Sequence, residues 1–233
     1  MTACKSFYAN YLDRNYRGKK MTFETSKTLG GIGAILMFIG IFPIISYYGI
    51  AEIIGAILVL VALHGLAGYY KESEIFSNAL YGILAGIVGV VIAAVAAVVT
   101  VLTSLTDLLK QIYPGWNGDW STLQGMTPDA SNLNPSSIYP LIAGILVILV
   151  IVWVFAIIAA FFIWRSLKQV SNKSTVGLFG TAGILLLVGA IIPLIGLILM
   201  WISELLLAIA FFTLKPQEQP IPPMTSPPQP TTV

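Results

Sequence analysis

The sequence predicts an all-α membrane protein with about six transmembrane helices, and three observations lead there. Of its 233 residues, 57% are hydrophobic and only 9% are charged, whereas a soluble domain carries about a quarter of its residues charged. Three runs hold no charge at all, residues 75–106, 130–164 and 174–203. Each exceeds the roughly 18 apolar-dominated residues that mark a transmembrane helix. The remaining apolar stretches fall into pairs joined by very short connections. In chain order the candidate spans are 29–45, 50–69, 78–105, 139–164, 176–192 and 194–214. They form one helical transmembrane domain over 28–215, between a polar N-terminal segment, 1–27, and a tail, 216–233.

The N-terminal segment has no apolar run of the kind a cleavable signal peptide needs. Its stretch "KSFYANYLDRNYR" sets Phe7, Tyr8, Tyr11 and Leu12 on one helical face, with Lys5, Asp13, Arg14 and Arg17 largely elsewhere. That pattern predicts an amphipathic helix lying in the interface, its basic residues toward anionic headgroups.

The first two spans are joined by "SYYG" and the last two by little more than "PLIG". Each pair reads as an apolar hairpin broken at a proline, Pro43 in one and Pro193 in the other, because proline lacks an N–H and clashes with the preceding turn. One straight helix over 176–214 would be about 58 Å long, far more than a bilayer. The hairpins either span or are re-entrant, which gives four spans plus two re-entrant hairpins as the alternative. They also look like copies. "GIGAILMFIGIFPII" aligns with "TAGILLLVGAIIPLI" at an offset of 150 residues, with Gly30, Gly33 and Pro43 over Gly180, Gly183 and Pro193.

Lys and Arg accumulate on the cytoplasmic side of membrane proteins. Six spans put Lys5, Arg14, Arg17, Lys19, Lys20, Lys27, Lys71, Arg165, Lys168, Lys173 and Lys215 on one side and Lys110 alone on the other. Both termini are therefore expected in the cytoplasm, in a cell (plasma) membrane. Residues 110–138 form an external loop, with Tyr113, Trp116, Trp120 and Tyr139 near its ends for the lipid–water boundary. The two middle spans, 78–105 and 139–164, are the longest. Small residues stripe the first of them: Ala85, Gly89, Ala93 and Ala97, with Gly82 and Gly86 beside them. Gly180 and Gly183 serve similarly on the fifth span. Such stripes let helix backbones approach closely. Beyond Pro216 the tail "KPQEQPIPPMTSPPQPTTV" (from Lys215) is too polar and proline-rich to bury a core and is expected to be disordered or polyproline II.

The pieces "LGGIGAILMFIGIFP", "GLAGYYKESEIFSNALYGI" and "GLILMWISELLLAIAFFTLKP" resemble an uncharacterised family of archaeal multi-pass membrane proteins, known as a domain of unknown function. The resemblance covers about residues 29–216. It implies an archaeal cell membrane and brings with it no activity, catalytic residue or cofactor.

No catalytic constellation is visible. One His and one Cys rule out sites built on a His pair or a thiolate cluster, and neither a phosphate-binding loop nor a nucleophile elbow is present. No cofactor, metal or nucleic acid is expected. The polar residues that call for explanation are Glu52, His64 and Glu204. Glu52 lies near a span end and can snorkel to headgroups. Glu204 stands near the middle of "ILMWISELLLAIAFF", where a carboxylate costs roughly 2.5–3.5 kcal/mol to insert. Neutralising it at pH 7 costs about 3.7 kcal/mol, so either form needs a partner. Its own helix offers none, and His64 is the leading candidate within the chain.

The expected function is that of a non-enzymatic membrane protein, a structural or accessory subunit that packs against itself, as a homo-oligomer, or against other membrane proteins. The alternative is a small transporter or channel for a proton, cation or small solute, using Glu204 and His64.

Overall fold

The computed structural model describes residues 21–40, 49–129, 131 and 134–216. The predicted amphipathic segment over 1–20, Pro43 and the tail from 217 lie outside the described residues. Among the described residues there are seven α-helices and no strand: α1 (Phe23–Gly40), α2 (Ile50–Tyr70), α3 (Ser73–Thr100), α4 (Thr106–Ile112), α5 (Tyr139–Ser174), α6 (Gly177–Ile191) and α7 (Ile195–Thr213). A π-helical turn, Val101–Leu105, joins α3 to α4.

Six of these helices close into a ring. In order round it, α1 packs on α2, α2 on α3, α3 on α5, α5 on α6, α6 on α7, and α7 back on α1. Every seam is antiparallel, as pairs between helices show: Gly33 meets Gly55 and Gly40 meets Glu52; His64 meets Phe76 beside the α2–α3 turn; Ser166 meets Ile75 and Gly144 meets Thr100; Trp153 meets Ala190; Ser203 meets Ala182; Lys27 meets Leu214 and Trp201 meets Phe38. An even number of helices lets this alternation close without a parallel contact.

Two-residue turns connect α2 to α3 and α5 to α6, and both are built the same way. Lys71 (φ 55°) and Thr175 (φ 60°) adopt the left-handed conformation that stops a helix, and the extended Glu72 and Val176 start the next one. Glu72 then pairs with Lys173 at 3.0 Å, holding the two turns together. Between α6 and α7 lies Pro193, as the sequence predicts. Pro193 O accepts from Ile195 N at 2.9 Å, so Leu194, at φ 68° and ψ −69°, is the centre of a γ-turn.

The seam between α1 and α7 joins the first described helix to the last. Gly30 and Gly31 leave room for the rings of Phe211 and Phe212. Lys27 Nζ donates to Leu214 O at 2.8 Å and Trp201 Nε1 to Phe38 O at 3.1 Å, with the Phe38 and Trp201 rings stacked at 4.6 Å. Phe179, Phe211, Leu66, Ile75, Leu167, Leu214 and Val170 are the large buried side chains, all toward the end of the ring where Lys and Arg gather.

The helical glycines do less symmetrical work than their repeat implies. Gly33 packs within its own hairpin, whereas Gly183, at the matching position, lies against Trp164 and Leu167 of α5. Gly180 faces Ser171, while its counterpart Gly30 faces Phe211. On α3, Gly82, Gly89 and Ala93 are buried; Gly82 packs on Ile163 and Gly89 on Phe155, both of α5. Ala85 and Ala97 are half-buried, and Gly86 has open space where a Cβ would stand.

Four helical stretches are long and apolar enough to cross a membrane: Ile50–Tyr70, Ser73–Ile112, Pro135–Ser174 and Ile195–Thr213. The chain is a membrane protein on this ground, and four of the expected spans reach full length among the described residues. Helix α6 has 15 residues, about 22 Å, and α1 carries Glu24 and Lys27 near its start. Meanwhile α5 runs 36 residues, about 54 Å. It extends ten residues past the predicted end at Trp164, because Ser166, Leu167, Val170 and Ser174 are buried at helical spacing while Arg165 and Lys168 stay exposed. Hydropathy marks where such a helix leaves lipid, not where it ends.

The loop between α4 and α5 has its own small core. Trp116 is buried, packs edge-on against Trp120 at 5.3 Å and donates Nε1–H to Asp119 O at 2.6 Å. It is thus held by the loop, while Trp120 and Tyr139 are exposed. The Ser121 hydroxyl and N–H bind Asp119 Oδ1 and hold that carboxyl below the usual aspartate range.

The α1–α7 seam yields a direct test. Gly30→Ala drives a methyl into the buried Phe211 ring, and overpacking of this kind costs about 1–3 kcal/mol. Gly68→Ala meets nothing within 4 Å and should be neutral. Thermal unfolding in detergent should show a lowered midpoint for the first variant and an unchanged one for the second.

Candidate functional site

Helix α7 buries one stripe, Gly196, Ser203, Glu204, Leu207 and Phe211 among it, and exposes the other, with Leu197, Ile198, Ile202, Leu205 and Ile209. Glu204 therefore points into the ring. It is 7% exposed, and its Oε2 is buried without a hydrogen-bond partner among the described residues. Ser203 beside it donates its hydroxyl to Ala182 O at 2.7 Å.

Glu204 lines a cavity of about 110 Å³ to which all six ring helices contribute. Met37 comes from α1, Leu60 from α2, Ile83 from α3, Ile163 from α5 and Leu186 from α6. Ser203 and Glu204 are the polar residues of its wall. The space lies where a ring of six helices has its axis.

His64 is elsewhere. It is exposed, packs edge-on against Phe76 at 4.6 Å, and lines two recesses of about 520 and 370 Å³ beside Tyr69 and Lys71 respectively. Its expected pairing with Glu204 is not formed. Leu63 is the inward residue of that turn, and the next residue along a helix is turned about 100° away. Depth along the axis was compatible with the pairing; azimuth was not.

Glu52 is exposed near the start of α2, its backbone against Gly40, and it does not line the cavity. Among the described residues no group of three or more His, Cys, Asp or Glu side chains could hold a metal ion. The arrangement offers one buried carboxylate, the Ser203 hydroxyl beside it and a wall otherwise of hydrocarbon.

The chain belongs to the family described as "Protein of unknown function (DUF996)", whose model matches residues 51–205, about two thirds of the chain. The match takes in Glu204 and stops one residue beyond it. It is narrower than the resemblance over 29–216 and leaves out α1. No curated protein matches the chain, and no solved structure does.

A buried polar atom without a partner costs about 1–3 kcal/mol, so Glu204 destabilises the isolated ring. Glu204→Leu, close in volume and apolar, should raise the thermal midpoint of the purified protein or leave it unchanged. A fall of several degrees would mean that the carboxylate is held by a hydrogen bond in the folded chain.

Proposed function

We propose, from membership of this family of unknown function and from the shape of the helices, that the protein is a non-enzymatic accessory subunit of the cell membrane. It packs through α3 and α5 against further copies of itself or against other membrane helices. An archaeal cell membrane is the setting that the sequence resemblance implies, with both termini in the cytoplasm.

The supporting observation is an arm. The α6–α7 hairpin ends level with Trp153, whose Nε1 donates to Ala190 O at 3.0 Å. From there α5 continues to Tyr139, about 21 Å further, beside α3 and its π-turn. Along this arm the apolar side chains face outward on both helices, Val90, Val95 and Leu102 on one and Leu146, Leu149 and Val150 on the other. With Arg165 at the inner surface, the hairpin tip reaches about 18 Å into the membrane, short of the roughly 30 Å hydrocarbon core. The re-entrant arrangement is thus the better fit for the α6–α7 hairpin, with α3 and α5 reaching further across the membrane. At the foot of the arm Gly86 offers an open small surface of the kind at which membrane helices meet. A conducting path through Glu204 and His64 has less support, since the two line separate spaces and the cavity wall has only two polar residues.

Native mass spectrometry after gentle extraction tests the assembly. A homo-oligomer or a stoichiometric second protein is expected, and Gly86→Ile should dissociate it without changing the thermal midpoint of the chain. A monomer under all gentle conditions overturns the reading. For the re-entrant tip, Leu194→Cys in a Cys4→Ser background should resist membrane-impermeant thiol reagents from both sides of sealed vesicles. Labelling from outside alone would mean that the hairpin crosses.

A further inference from the structure

We propose that the central cavity is a binding site for a small organic ammonium ion, with Glu204 as its counter-charge. The geometry points to a ligand rather than to a packing fault. The carboxylate is 7% exposed and its Oε2 lacks a partner. The space it lines, about 110 Å³, is formed by all six ring helices. Apart from Glu204 itself, no residue of the wall is charged, so nothing in it neutralises the carboxylate.

The wall selects the class. A divalent cation needs about six or more oxygen ligands, and this wall has one carboxylate and the Ser203 hydroxyl. An alkali ion would give up a full hydration shell and find only the oxygens of Glu204 and Ser203 in its place. An ammonium group needs up to three acceptors. The two Glu204 oxygens and a lone pair of Ser203 Oγ, whose proton goes to Ala182 O, supply that number. Met37, Leu60, Ile83, Ile163 and Leu186 would then surround the organic part. An engineered apolar cavity of about 150 Å³ holds benzene, which puts the ligand here at about five heavy atoms. The site is independent of any assembly through the arm.

The test is equilibrium dialysis of radiolabelled n-butylamine against the full-length protein in lipid nanodiscs, with empty nanodiscs as the baseline. One saturable site per chain is expected. Unlabelled n-butanol, neutral and of the same size, should compete at least tenfold less well than unlabelled n-butylamine, and Glu204→Gln should weaken amine binding at least tenfold. No saturable binding above the baseline overturns the proposal, as does binding unchanged in Glu204→Gln. Displacement by butanol as effective as by the amine overturns the role of the charge, and displacement by rubidium at equal concentration overturns the organic class. The amine–alcohol comparison uses the unmodified protein and stands even if the variant does not fold.

Discussion

How closely α1 can approach α7 decides whether the ring exists. In lipid there is no hydrophobic force between helices, since acyl chains are as apolar as leucine, and association rests on close packing and interhelical hydrogen bonds. Gly30 and Gly31 give the rings of Phe211 and Phe212 a place that any side chain would occupy. Above and below, Trp201 and Lys27 each donate to a backbone carbonyl across the seam. The same device recurs round the ring, with Ser166 on Ile75 O, Trp153 on Ala190 O and Ser203 on Ala182 O. Each such bond is worth about 0.6 kcal/mol, so geometry matters more than any one of them. A carbonyl fixes where its donor stands along the neighbouring helix, which sets the register of the seam.

Hydropathy made the class of protein, the paired hairpins, the turn at Pro193 and the two long helices legible in the sequence. It could not show the closure, because nothing periodic links Gly30 to Phe211, 181 residues on. Nor could it place His64. A count of residues from the membrane surface gives depth alone, and the choice between Leu63 and His64 is one of rotation. The repeat of Gly30 and Gly33 in Gly180 and Gly183 was visible too, but the copies face different neighbours. Sequence likeness between hairpins does not carry their packing, because each sits beside a different helix. Glu204 stood out for a sound reason, its cost in hydrocarbon. Its surroundings depend on all six helices and so could not be read from its own.

The cavity follows from the ring. Six helices at the usual spacing of about 9 Å leave the axis about 9 Å from each of them, beyond the 5–6 Å that a helix with its side chains reaches. Leucine, isoleucine and methionine lean into that gap and narrow it to about 110 Å³. A ring of four would bring the axis to about 6 Å, close to the reach of the side chains, and a bundle with a central helix would have none of this space. The count of six sets the void, and the void gives Glu204 somewhere to point.

That placement links occupancy to closure. Glu204 lies a few residues from Leu207 and Phe211 on one face of α7, the face that meets Gly30 of α1. A molecule in the cavity touches α7 and every other ring helix at once. It can therefore bind well only when all six seams are formed. Anything that binds the closed ring and not the open one stabilises it by RT ln(1 + [L]/Kd), about 2.7 kcal/mol at a hundredfold excess over Kd. Such a contribution exceeds the 0.6 kcal/mol of any one seam hydrogen bond. An uncompensated acid that weakens the empty ring would then serve to make the ring's integrity depend on what it holds.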